Sequence, residues 1–228
     1  MNILEETIND LKNALQGNLS GTQIASAQTT IRNYAIAAAV TGAIAGTVPG
    51  LAGILAMLAQ TGLVWATYVK INQTLGISMK EHTAKFLGSA IASNIVTNVG
   101  TMLISYAAAA IISLIPIFGQ AIAATANAAI GYIFIYTCAI IYLKFITDLV
   151  RPDGTIEVAE SDDTKHIIKD IIKRNNMEKI ISEGRDNYKK AKKDGIIDDA
   201  IKHRRCPSCG SPIEDGQKFC SACGSALC

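Results

Sequence analysis

From Phe86 to Leu143 the chain runs for 58 residues without a charged side chain, and from Asn33 to Val69 for another 37. A helix on the surface of a soluble domain needs a charged or strongly polar face toward water. Runs of this length point to helices that meet lipid or only one another, and a membrane-inserting helical core is the leading expectation. The alternative is a soluble, cytoplasmic, alanine-rich bundle whose buried helices need few charges. The same runs confine ionic chemistry to their flanks and to the C-terminal third of the chain.

Composition agrees. Of the 228 residues, 50% are hydrophobic and 18% charged, below the roughly 25% charged usual for soluble domains. The net charge of +2 excludes neither nucleic acid nor membrane, and its distribution says more. Residues 151–205 hold fourteen basic and twelve acidic groups, against four and two over residues 33–150. The N-terminus opens on Glu5, Glu6 and Asp10 rather than on the basic patch and short apolar core of a signal peptide. Insertion is therefore expected to use internal segments. Five of the six cysteines fall in the last 23 residues, a clustering that favours a metal site over a disulfide framework.

Four segments follow: an amphipathic N-terminal helix within 1–32, an apolar helical hairpin domain over 33–150, a charged helical linker over 151–203 and a metal-binding ribbon over 204–228. In the first, Leu4, Ile8, Leu11 and Leu15 form one helical stripe, expected to dock on the chain's own domain. In the second, Thr47-Val48-Pro49-Gly50 breaks the ladder and permits a turn. Pro116 with Gly119 repeats that layout in the longer run, so the fold class expected is all-α, with two Pro/Gly-broken apolar hairpins in a membrane-type bundle. The arm before Pro49 has 16 residues, about 24 Å of helix against a hydrocarbon core of about 30 Å. A shallow or re-entrant hairpin fits there as well as a full span. The arms 86–115 and 117–143 are long enough to cross.

Gly42, Gly46 and Gly50 recur every four residues and would let a neighbouring helix approach closely. Arg32, Lys70, Lys80, Lys85, Lys144 and Arg151 flank the runs, and neither turn carries charge. Basic flanks stay cytoplasmic, so both hairpins would enter from that side and leave both termini there, on an inner (plasma) membrane. Trp65, Tyr68 and Tyr142 lie near the charged ends, where aromatic rings favour the interface. Asn94, Asn98, Thr101 and Ser105 form one polar stripe. In lipid such a stripe is expected to face other helices, or, as the runner-up, to line a pore in a homo-oligomer.

Past Arg151-Pro152-Asp153-Gly154, isoleucines at helical spacing mark charged amphipathic helices. The basic block at Lys189, Lys190, Lys192 and Lys193 could meet anionic lipid, but neighbouring aspartates dilute it and a solvated face is the plainer reading. The chemically specific part is the C-terminus. Cys206-Pro207-Ser208-Cys209-Gly210 and Cys220-Ser221-Ala222-Cys223-Gly224 are two C-x-x-C-G knuckles. Zinc takes four ligands in a tetrahedron and thiolate is among its preferred donors. Cys206, Cys209, Cys220 and Cys223 are therefore expected to hold one structural Zn2+, with no open position for water or substrate. Asp215-Gly216 signals a β-hairpin between the knuckles. Ile213, Phe219 and Leu227 are too little core for a free-standing fold, so the metal should supply its folding energy.

The tail resembles the small zinc ribbons found at the ends of many bacterial proteins, in the pattern C-P-x-C-G … F-C-x-x-C-G-x-x-L from Cys206 to Leu227. More loosely, residues 33–150 resemble the YcjF-type helical domain that accompanies bacterial GTPases. The segments that carry this are Ile44-Ala45-Gly46-Thr47-Val48-Pro49-Gly50 and Leu114-Ile115-Pro116-Ile117-Phe118-Gly119. That resemblance implies inner-membrane association and partner binding without catalysis. No G-x-x-x-x-G-K-[ST] phosphate loop is present.

No catalytic set emerges. His82, His166 and His203 are isolated, and Cys138 lies among apolar residues with no activating cation near it. The expected function is thus a non-enzymatic, membrane-associated adaptor or regulator that meets lipid and protein partners. A pore-forming effector is the competing class. A soluble bundle with a nucleic-acid-binding ribbon comes third, because the ribbon offers few basic groups and only Phe219 for stacking.

Overall fold

The computed structural model describes residues 2–45, 52–118, 122–203, 206, 208, 209, 211, 213, 217–220, 224 and 225. Eight helices are formed there: α1 Ile3–Ala14, α2 Gly21–Ala45, α3 Ala52–Leu75, α4 Glu81–Phe118, α5 Ile122–Leu149, α6 Asp162–Arg174, α7 Met177–Lys193 and α8 Ile196–His203. The described residues contain no sheet; Ser78 and Thr155 form an isolated bridge.

α1 starts on a capping box. Asn2 Oδ1 accepts the Glu5 N–H at 2.8 Å and Glu5 Oε2 accepts the Asn2 N–H at 3.3 Å, satisfying two groups a helix start leaves open. Ile8, Leu11 and Leu15 are buried and Leu4 partly so. This stripe seats α1 on α5, a docked helix rather than a coiled-coil strand. Glu183 of α7 fastens it, accepting the backbone N–H of Ile3 at 2.7 Å and of Leu4 at 3.3 Å as well as the Tyr136 hydroxyl. A carboxylate at a helix N-terminus also meets the positive end of the helix dipole.

α2–α3 and α4–α5 are the two apolar hairpins. The first turn, with Pro49, Gly46 and Gly50, lies outside the described residues. In the second run the helix continues through Pro116 to Phe118, two residues past the expected break. A proline in a final turn forfeits one backbone hydrogen bond but leaves the earlier ladder intact.

α5 is the axis of the molecule. It packs against α1, α2, α3, α4, α6 and α7, and every residue from Gly131 to Leu143 is buried. A helix covered on all sides needs no polar face, which accounts for its apolar sequence without lipid. Gly42 shows how closely α2 approaches: a Cβ there would lie 2.3 Å from the Asn127 carbonyl oxygen. Tyr68 and Tyr142 are not interfacial. They are fully buried and stacked at 3.8 Å between ring centroids. Their hydroxyls donate to the Cys138 carbonyl at 3.0 Å and to Asn72 Oδ1 at 2.7 Å, so protein groups rather than lipid headgroups satisfy their polar ends.

Residues 151–203 do not hang free as a linker. Gly154, at φ +81°, closes the turn after α5, and the Ser78 N–H donates to its carbonyl at 3.0 Å. α6 then packs on α4 and α5, α7 on α4 and α5, and α8 on α2 and α7. Ile168, Ile171 and Ile172 of α6, Ile180, Ile181 and Tyr188 of α7, and Ile197 of α8 are buried. The charged faces of these helices turn outward, except at Lys192 of α7, which is buried and paired with Asp198.

Candidate metal centre and the uncharged face of α4

Cysteine spacing assembles the metal centre locally. The Sγ atoms of Cys206, Cys209 and Cys220 lie within 4.8 Å of one another, and Cys209 and Cys220 are 3.6 Å apart. A tetrahedral zinc with Zn–S bonds of about 2.3 Å separates its sulfurs by about 3.8 Å, so the donor set fits that ion. Cys206 and Cys220 are buried, while Cys209 is exposed. Cys223 falls outside the described residues.

Backbone geometry repeats across the two knuckles. The Cys206 N–H donates to the Ser211 carbonyl and the Cys220 N–H to the Ser225 carbonyl, both at 2.8 Å. Each pair spans the same C-x-x-C-G-S hexad, recurring after fourteen residues, so Cys223 occupies in the second hexad the place of Cys209 in the first. Zinc-ligand spacing alone does not single out the serines, although the repeated hexad carries the signal. Gly224, at φ +68°, takes the left-handed conformation that lets the chain curl behind a metal.

The polar stripe lies elsewhere. Asn98, Thr101 and Ser105 are exposed on α4 and Asn94 is half-buried. The hydrogen bonds of its side-chain donors run back along their own helix rather than to a neighbour. Asn94 Nδ2 donates to the Ala90 carbonyl at 2.9 Å, Asn98 Nδ2 to that of Asn94 at 2.8 Å, and Ser105 Oγ to that of Thr101 at 3.0 Å. Around them Val96, Met102, Ile104 and Ile112 are exposed, Ile112 at 69%. The outward side of α4 from Ser93 to Ser113 is thus long, apolar to weakly polar and uncharged. Two helices, α4 over Glu81–Ser113 and α5 over Ala124–Leu149, are long and apolar enough to cross a membrane.

Gly42 faces α5, whereas Gly46 and Gly50 of the same repeat lie outside the described residues. Cys138 is buried, and burial pushes its thiol well above the ordinary range, which suits packing rather than nucleophilic attack. His82 meets Glu160 at 3.2 Å on the surface. The comparisons with known proteins bear on the tail. A family model described as a zinc-ribbon domain matches residues 205–227, so the chain ends in a zinc ribbon. No curated protein and no solved structure matches the chain.

Proposed function

We propose that this protein is a non-enzymatic, membrane-associated adaptor, which holds a helical bundle against a lipid surface and presents its zinc ribbon to protein partners. The observation that carries the reading is the outward face of α4. A soluble surface helix of that length would carry charge, and this one carries none between Lys85 and its end. The asparagine and serine side chains on that face already donate to backbone carbonyls of their own helix. That lowers the cost of moving them into apolar surroundings.

The mode of association is lateral. α5 is sheathed by protein, and α7 lies across it with Lys179, Lys190 and Lys193 turned to water. Threading α5 through a bilayer would drag those charges with it, at several kcal/mol apiece. α4, and not α5, is therefore the lipid-facing element. The compartment is the reducing, cytosolic side, where four thiolates can hold zinc instead of oxidising.

Flotation with vesicles tests the reading. The wild-type chain should rise with the vesicles, and Ile104→Lys with Ile112→Lys should remain at the bottom with unchanged helical circular dichroism. Equal flotation of both would end it. The ribbon makes a separate prediction of one zinc per chain. In the native protein a thiol reagent should titrate Cys228 alone; with a chelator it should titrate five cysteines, leaving only the buried Cys138. Zinc-free protein with all ribbon thiols reactive at the outset would refute it.

A second reading, an oligomeric pore, draws on the exposure of Asn98, Thr101 and Ser105. It requires dye release from vesicles that Asn98→Leu abolishes. Tight vesicles in the presence of bound protein would remove it.

A further inference from the structure

A cleft of about 330 Å³ opens where α1, α2, α5 and α7 meet, lined in part by Arg32, Lys190, Tyr132 and Gln28. Arg32 is the sole charged residue of α2. Other basic groups nearby on α7 are matched: Arg185 pairs with Asp186 and Lys192 with Asp198. Arg32 and Lys190 form no ion pair among the described residues. Tyr132 has its ring buried edge-on against Tyr188, and its hydroxyl has no hydrogen-bond partner among the described residues. Burial pushes that hydroxyl up to about 12, against the opposing charge of Arg32, so at neutral pH it stays protonated and can donate a hydrogen bond.

The acids around the cleft do not answer these cations. Glu5 also lines it, with one oxygen accepting the Asn2 N–H at 3.3 Å, and forms no ion pair with Arg32 or Lys190 among the described residues. Glu183 spends both oxygens on the start of α1 and on Tyr136. Two cations and a neutral hydroxyl, supplied by three helices, thus line one concavity in which Glu5 is the one carboxylate. Several donors from different directions suit an anion with several oxygens, and charge-assisted bonds to such an anion are the strong ones. The volume lies at the lower end of the range of small-molecule sites, about 300–1,000 Å³, and leaves room for more than a bare phosphate.

We propose that this cleft binds a phosphate monoester, with Arg32 and Lys190 neutralising the phosphate and the Tyr132 hydroxyl donating to it. The ester belongs either to a small soluble molecule or to a lipid headgroup. The site is independent of the membrane reading, since neither α4 nor its exposed face contributes to it.

Binding of glycerol phosphate to the full chain, followed by calorimetry, tests the soluble source. Flotation with phosphatidylcholine vesicles, with and without phosphatidic acid, tests the lipid source. Arg32→Gln and Lys190→Gln should each weaken the phosphate-dependent signal by roughly tenfold or more, and Tyr132→Phe by several-fold. Lys173→Gln, exposed on α6, a helix that does not line the cleft, should leave it unchanged. Loss confined to the glycerol phosphate arm assigns a soluble ligand, and loss confined to the phosphatidic acid increment assigns a headgroup. The proposal is overturned if neither probe binds at millimolar concentration, or if the three cleft variants bind as the wild type does. It is equally overturned if Lys173→Gln weakens binding as much as they do.

Discussion

α4 and α5 come from one uncharged run and have nearly equal hydropathy, yet protein covers 83% of the apolar window in α5 and 33% of that in α4. The difference comes from what the rest of the chain does. α6 and α7 pack on both helices, whereas α1 and α2 add their cover chiefly to α5; α7 is anchored there by close packing, with Gly184 set against Tyr136 and Ile133. α4 receives cover on one side only. Apolar sequence states that a helix avoids water; its neighbours determine whether protein or lipid replaces that water. α5 is a core helix, and α4 is left with an uncharged face looking outward.

Matched substitutions should break this comparison if it is wrong. Ile133→Asp places a charge in the sheathed part of α5, where no partner can reach it, and should destabilise the fold by about 4 kcal/mol or more. Ile112→Asp puts the same charge on the open face of α4 and should change stability by no more than about 0.5 kcal/mol. Denaturant midpoints for the two variants read this directly. Similar losses at both positions would mean that α4 is covered too.

A smaller effect separates the helices at high pH. Tyr132, Tyr136 and Tyr142 of α5 are buried, and burial raises all three hydroxyls above the ordinary value of about 10. They remain neutral in the fold while the unfolded chain ionises. Stability should thus be level below about pH 10 and fall as pH rises from there through the raised values. The slope should approach about 1.4 kcal/mol per pH unit for each such tyrosine. Replacing Tyr132 and Tyr142 by Phe should flatten the fall, as followed by urea denaturation between pH 9 and about 11.5. An unchanged slope would indicate that the α5 tyrosines reach water.

The chain reveals its local features more readily than its long-range ones. The 4, 3, 4 spacing of Leu4, Ile8, Leu11 and Leu15 is enough to find a docking helix, because amphipathic periodicity records burial directly. The C-x-x-C-G-S hexads likewise carry the ribbon, since both ligands of a knuckle sit within four residues. Nearness to charged residues in sequence points Tyr68 and Tyr142 toward an interface, but they stack on each other from different hairpins. The docking of α7 on α5 rests on Gly184, Tyr188 and Glu183, whose partners are 47 to 180 residues away where they are bonded. Nothing in the neighbouring sequence marks such pairings. The polar stripe of α4 is legible as a stripe, but not the direction in which it faces.

The central claim, that α4 is the lipid-facing element, can be measured at one position. Ile112→Trp in a Trp65→Phe background places a single tryptophan on the open face of α4. On adding vesicles its emission should shift to the blue and be quenched by brominated lipid chains. Emission that stays water-like and unquenched, with the protein folded and vesicles in excess, would contradict the account.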